Sequence, residues 1–199
     1  GSFKALGAAY VIAHMAQKQS LANTTFITAS AGNHGLSVAA GARTFGASSV
    51  VYLSHTVPET FAEKLRLQGA KVCRKGDDYE ASMTAAAKAA TENNWVLLSD
   101  SSWPGYTELP HRLMEGYLVM AAETVKQWES APTHIFLQAG VGGLAAACAA
   151  YFRSAWLDSP NITVVEPEAA PALHDAIQAG QIVSAAGPVS SMGRLDCKE

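Results

Sequence analysis

Short apolar runs rich in β-branched residues alternate along the chain with longer stretches whose apolar positions recur every three or four residues. The runs at 26–28, 49–53, 71–74, 95–99, 134–137 and 162–165 predict strands. Helical spacing covers 5–19, 34–44, 58–68, 79–93, 110–128 and 142–156, and several of these stretches are closed by Gly or Asn. Regular alternation of the two patterns implies an α/β fold with open, mainly parallel sheets covered by helices on both faces. Such sheets bind ligands beyond the carboxyl ends of their strands, so the loops that follow strands are where chemistry is expected. Gly-Ala phrases recur at Phe45-Gly46-Ala47 and Gln68-Gly69-Ala70, but the units between them differ in length, as in ordinary βα repeats. Helical patterning begins at about the third residue and the chain stops at the charged Asp196-Cys197-Lys198-Glu199, from which missing flanks are expected. Gly1-Ser2 also reads as a cloning remnant.

Composition narrows the class. With 199 residues, 49% apolar and 16% charged, the chain is long enough for one core or two small ones. Lys and Arg number 14 against 17 Asp and Glu, a net charge of -3, which leaves no basic excess for a nucleic-acid backbone. The apolar stretch at 144–152 is far shorter than the roughly 20 residues that cross a bilayer, so no membrane partner and a cytoplasmic location are expected. Cys73, Cys148 and Cys197 lie far apart, which argues against a disulfide framework and assigns them to packing. The six histidines are scattered without paired ligand spacing, so no metal site is expected.

Two loops stand out. Thr28-Ala29-Ser30-Ala31-Gly32-Asn33-His34-Gly35 joins an apolar strand to a helix, and Ser30 and Asn33 place short polar side chains beside unpaired N–H groups. Ordinary N-capping explains the same residues. Gln138-Ala139-Gly140-Val141-Gly142-Gly143-Leu144 repeats that layout, with three glycines in four positions. Its backbone N–H groups and the dipole of the following helix suit a phosphate, while tight helix-to-sheet packing is the structural alternative. Neither the dinucleotide nor the NTP fingerprint is present. Lys4 precedes an apolar helical stretch and, taken alone, reads as a solvated lysine.

Together, Gly1-Ser2-Phe3-Lys4, Ser30-Ala31-Gly32-Asn33-His34-Gly35 and Gly140-Val141-Gly142-Gly143-Leu144, in that order and spacing, resemble the fold type II pyridoxal-phosphate enzymes, the tryptophan synthase β superfamily. Asp100-Ser101-Ser102-Trp103-Pro104-Gly105-Tyr106, Leu109-Pro110, Met114-Glu115-Gly116-Tyr117 and the final eight residues from Met192 are similar to the diaminopropionate ammonia-lyases within it. The likeness spans nearly the whole chain.

The resemblance implies pyridoxal 5'-phosphate as cofactor, held on Lys4 as a Schiff base. It implies Asn33 on the cofactor's phenolic oxygen, and Gly140, Val141, Gly142, Gly143 and Leu144 on its phosphate. It implies Ser30, Ala31 and Gly32 at the substrate carboxylate and Asp100, with Lys4, as catalytic groups. An exchangeable amine suits Lys4, and a lysine of depressed pKa can move a substrate proton. Asp100 also reads as a turn cap ahead of Ser101-Ser102. The expected reaction eliminates ammonia from a small amino acid such as 2,3-diaminopropionate, giving pyruvate and ammonia.

Where those ammonia-lyases carry an aspartate base for the D-substrate, this chain has Ala31, as threonine dehydratases do; L-selectivity and little racemisation follow. A serine or threonine dehydratase and an inactive cofactor-binding fragment stay open beside the first reading. Tyr106, Trp103 and His34 receive no role from residue type, and Glu166-Pro167 reads as a solvated loop. The resemblance further implies a smaller subdomain at 33–100, a larger one from 1–32 and 101–199 that closes on it, and a homodimer.

Overall fold

The structure, a computed structural model, describes residues 2–198. It separates into two compact units, one reaching Gly116 and the other starting at Tyr117. In the first, four parallel strands, β1 (Thr25–Thr28), β2 (Ser48–Leu53), β3 (Lys71–Arg74) and β4 (Val96–Leu97), lie in the order β3-β2-β1-β4. The helices of this unit are α1 (Lys4–Ala16), α2 (Asn33–Thr44), α3 (Glu59–Leu67) and α4 (Tyr79–Asn93), while α5 (Glu108–Gln127) runs across the boundary. The second unit pairs β5 (His134–Gln138) with β6 (Asn161–Val165) in parallel, joined through α6 (Gly143–Trp156) and followed by α7 (Ala172–Ala179).

Alternation of side chains along each strand explains why helices cover both faces of the four-stranded sheet. Phe26 packs with Val11 and Ile12 of α1 and Val38 and Ala42 of α2. Its neighbour Ile27 points the other way, to Ala86, Ala89 and Ala90 of α4. On β2, Val50 joins the α4 side, whereas Val51 and Leu53 meet Ala39 of α2 and Ala62 and Leu65 of α3. Phe26 and Ile27 are fully buried, and each such side chain stabilises the fold by roughly 1.5–3 kcal/mol. Asp78 starts α4 by accepting from Ala81 N at 2.8 Å, and Asn94 ends it in the left-handed conformation at φ 54°.

The strand order places the functional loops. Successive strands run outward from β1 to β2 and β3, and the chain then returns to set β4 on the other side of β1. The reversal sets the carboxyl ends of β1 and β4 side by side, the kind of position at which open parallel sheets bind ligands. The Ser30–Gly35 loop leaves β1 there and Asp100 follows β4 there.

Two elements depart from the sequence expectation. The strand expected at 95–99 pairs only over Val96–Leu97. Leu98 N still donates to Ile27 O at 2.8 Å, but Ser99 N turns to the Tyr106 hydroxyl at 3.0 Å, so the chain leaves the sheet one residue before Asp100. Helix α7 was not expected. Its N-terminal amides, Leu173 N and His174 N, donate to Glu166 Oε1 and Oε2 at 2.8 Å each, so a carboxylate six residues before the helix caps it. The Glu166-Pro167 stretch is thus a capping turn and not a solvated loop. No helix among the described residues is long and apolar enough to cross a membrane, and no cluster of potential metal ligands occurs among them.

Candidate active site

The centre of the first unit's site is an ion pair. Lys4 is the first residue of α1, and its Nζ donates to Asp100 Oδ2 at 2.5 Å. Both side chains are part-buried: 22% of Lys4 and 19% of Asp100 is exposed. The Lys4 ammonium also lies 5.1 Å from the Phe3 ring centroid. Residues 96 positions apart in sequence therefore meet because α1 and β4 both flank β1.

His34, 3% exposed, closes the group from α2. Its Nε2 sits 2.8 Å from Leu98 O, while its Nδ1 lies 4.0 Å from Asp100 Oδ2 and has no hydrogen-bond partner among the described residues. Burial pushes the Asp100 carboxyl up, but electrostatic attraction from His34 and Lys4, with the Lys4 hydrogen bond, outweighs it and brings the pKa down to about 2. Asp100 is an anion at neutral pH.

Tyr106 braces this corner. Its hydroxyl donates to Leu97 O at 2.9 Å and accepts from Ser99 N at 3.0 Å, and its ring stacks on Trp103 at a centroid distance of 4.3 Å. Burial raises the phenol to about 12; the Asp100 charge adds to this and the Ser99 N–H opposes it. The phenol stays a neutral donor.

The loop after β1 is held tightly. Gly32 N donates to Ser30 Oγ at 3.3 Å, and the first helical bond of α2 runs from Leu36 N to Gly32 O at 3.2 Å. The N–H groups of Asn33, His34 and Gly35 therefore precede the helical ladder. Gly35 is dictated by space: a Cβ there would collide with the Ser30 carbonyl oxygen and stand 3.1 Å from its carbon. Ser30, Ala31 and Gly32 are half-buried, whereas Asn33 is exposed and its side chain free to reach a ligand.

In the second unit, Gly142 adopts φ 83° as the N-cap of α6, a conformation natural to glycine. The first α6 bond runs from Ala146 N to Gly142 O at 2.9 Å, which leaves the N–H groups of Gly143, Leu144 and Ala145 ahead of the ladder. Val141 is exposed at the loop tip; the Leu144 side chain is buried, so only its backbone can serve a ligand. Such a turn fits a phosphate dianion through N–H groups and helix dipole. The structure brings Lys4, Asp100 and His34 together in the first unit, sets Ser30, Ala31, Gly32 and Asn33 in the loop that runs from β1 into His34's helix, and keeps Gly140, Val141, Gly142, Gly143 and Leu144 in one turn of the second. Reasoning from residue type missed His34 and Tyr106; adjacency of His34 to Asn33 was the only signal, and it carries no sign of burial.

A parallel α/β sheet with a lysine amine at its switch point, and a glycine turn opening a helix beyond another strand, defines the class of fold type II cofactor enzymes. The chain belongs to the pyridoxal-phosphate dependent enzyme family, whose model matches residues 1–199. It is 35% identical over 190 residues to the diaminopropionate ammonia-lyase of Salmonella typhimurium, covering 92% of this chain and 47% of that protein. A crystal structure of the Escherichia coli diaminopropionate ammonia-lyase in complex with D-serine superposes with a TM-score of 0.88 at 29% identity, covering 100% of this chain and 55% of that one. The L-serine dehydratase/L-threonine deaminase of Mus musculus is 30% identical over 187 residues, covering 92% of this chain and 54% of that protein. The chain thus spans about half the length of the curated relatives it matches.

Proposed function

We propose that this chain serves a pyridoxal-phosphate-dependent ammonia-lyase that removes ammonia from a small amino acid such as 2,3-diaminopropionate, releasing pyruvate and ammonia. The observation that carries the reading is the Lys4–Asp100 pair at the sheet's switch point, a part-buried amine beside an acceptor. When bound, the cofactor supplies an aldehyde for amines and a ring that accepts electrons from the substrate Cα.

The chain's own residues supply the rest. Lys4 Nζ would hold the cofactor and, as a free amine, would move the proton at Cα. Asp100 Oδ2 takes a proton from the substrate amino group, which must be neutral to react. Ser30 and the amides of Ala31 and Gly32 receive the substrate carboxylate, and Asn33 donates to the phenolic oxygen. Gly140, Val141, Gly142, Gly143 and Leu144 hold the phosphate through backbone N–H groups. The division into a smaller subdomain at 33–100 and a larger remainder, and the homodimer, belong to the same proposal.

Ala31 supports a second reading. An alanine before the Gly-Asn-His unit is the dehydratase pattern, and a serine and threonine dehydratase is among the relatives. Pyruvate release by the cofactor-loaded protein, assayed against L- and D-2,3-diaminopropionate, L-serine and L-threonine, separates them. We expect L-2,3-diaminopropionate to be the best substrate and its D-enantiomer a poor one. Serine or threonine turned over without diaminopropionate would establish the dehydratase. Equal turnover of the enantiomers would overturn the role given to Ala31, and no product from any substrate would leave a cofactor-binding fragment.

A further inference from the structure

His34 is fixed in one tautomer by its surroundings. Leu98 O is a carbonyl and can only accept, so the Nε2 that stands 2.8 Å from it carries the hydrogen. In the neutral ring, Nδ1 is then a bare lone pair, buried and unpartnered among the described residues, aimed at the Asp100 carboxylate 4.0 Å away. Two acceptors facing each other in a part-buried site repel unless a proton lies between them. We propose that His34 Nδ1 stores the proton that Lys4 must lose before its amine can act, delivered through Asp100 Oδ2.

The transfer balances. An Nζ–H bond of the Lys4 ammonium breaks as an Oδ2–H bond forms, then that bond breaks as Nδ1–H forms. Lys4 ends as a neutral amine, Asp100 is a carboxylate again and His34 is an imidazolium that donates from both nitrogens. The trio's net charge does not change. That is the physical advantage: sending the proton to bulk water would leave a part-buried carboxylate with no counter-charge, a costly state. The remaining gap between Nδ1 and Oδ2 is about 1 Å beyond a charge-assisted hydrogen bond, closed by a small rotation of the Asp100 side chain. The titratable groups at the trio, among the described residues, are Lys4 from α1, Asp100 after β4, and Tyr106, which acts on Asp100 and stays neutral. His34 acts through Asp100 and is a positioning residue for Lys4. Its use in turnover rests on the proposed lyase reading, but its proton chemistry does not.

The test is made on the intact protein with two readouts that a merely structural histidine would not move. Imidazole nitrogen NMR across pH should give an Nε2–H tautomer for neutral His34 and a titration midpoint that falls by at least one unit in Asp100→Asn. An Nδ1–H tautomer, or an unmoved midpoint, overturns the proposal. His34→Gln keeps a donor for Leu98 O but cannot take a proton. Near neutral pH, acetic anhydride should label Lys4 about tenfold more slowly in this variant, with Lys18 as the internal standard. Equal labelling of Lys4 in the two proteins overturns the proposal; if His34→Gln does not fold, the NMR readout on the other two proteins decides. Both readouts as expected with no pyruvate from any substrate would remove the lyase reading and leave the proton store. Pyruvate release with unchanged labelling in His34→Gln would do the reverse.

Discussion

At the scale of single residues, Asp100 sets the pH behaviour. Its carboxyl stands at about 2 in the folded chain, below the ordinary 3.8. A depressed carboxylate stabilises the fold above its unfolded pKa, and that stabilisation is lost as pH falls from about 4 towards 2. The shift corresponds to roughly 2 kcal/mol when fully expressed. Asp100→Asn should therefore be less stable than the parent in urea unfolding at pH 6, with the difference shrinking as the pH is lowered to 3. A pH-independent difference would mean that the carboxyl is not held low by His34 and Lys4. Sequence alone marked both Lys4 and Asp100, but through resemblance; their chemistry in isolation is that of a surface lysine and a turn cap. Only the packing of α1 on β1, next to which β4 pairs, turns two unremarkable residues into one charged pair.

At the scale of elements, the alternation of apolar runs was readable because the strands carry β-branched and apolar residues whether buried on both faces, as β1 and β2 are, or largely exposed, as β5 and β6 are. The six expected strands and six expected helices are all present, with ends displaced by a few residues. What stayed hidden depends on groups distant in sequence. The short β4 ends where the Tyr106 hydroxyl takes over Ser99 N, and α7 is capped by Glu166 from outside the helix. Burial of His34 had no period to announce it, since one residue after a glycine turn can face either way.

The same scale explains Gly35. Its missing side chain lets α2 start directly against the Ser30 carbonyl, which shapes the loop assigned to the substrate carboxylate. Gly35→Ala should cost about 1–3 kcal/mol, as overpacking of a tight contact does. Its melting temperature should fall together with its affinity for substrate. An unchanged melting temperature would show that the loop relaxes at no cost, contrary to the close approach described above.

At the scale of the molecule, the chain carries two α/β units, each with a loop between strand and helix, and it spans about half of the proteins it matches. Family membership rests on the whole chain, whereas activity rests on the proposal that these loops act on one ligand. That proposal stands or falls on Lys4. The most direct measurement incubates the protein with pyridoxal phosphate, reduces it with borohydride and maps the modified peptide by mass spectrometry. The account predicts cofactor fixed on Lys4 alone, with a visible band before reduction that Lys4→Ala abolishes. Cofactor fixed on another lysine, or on none, would contradict it.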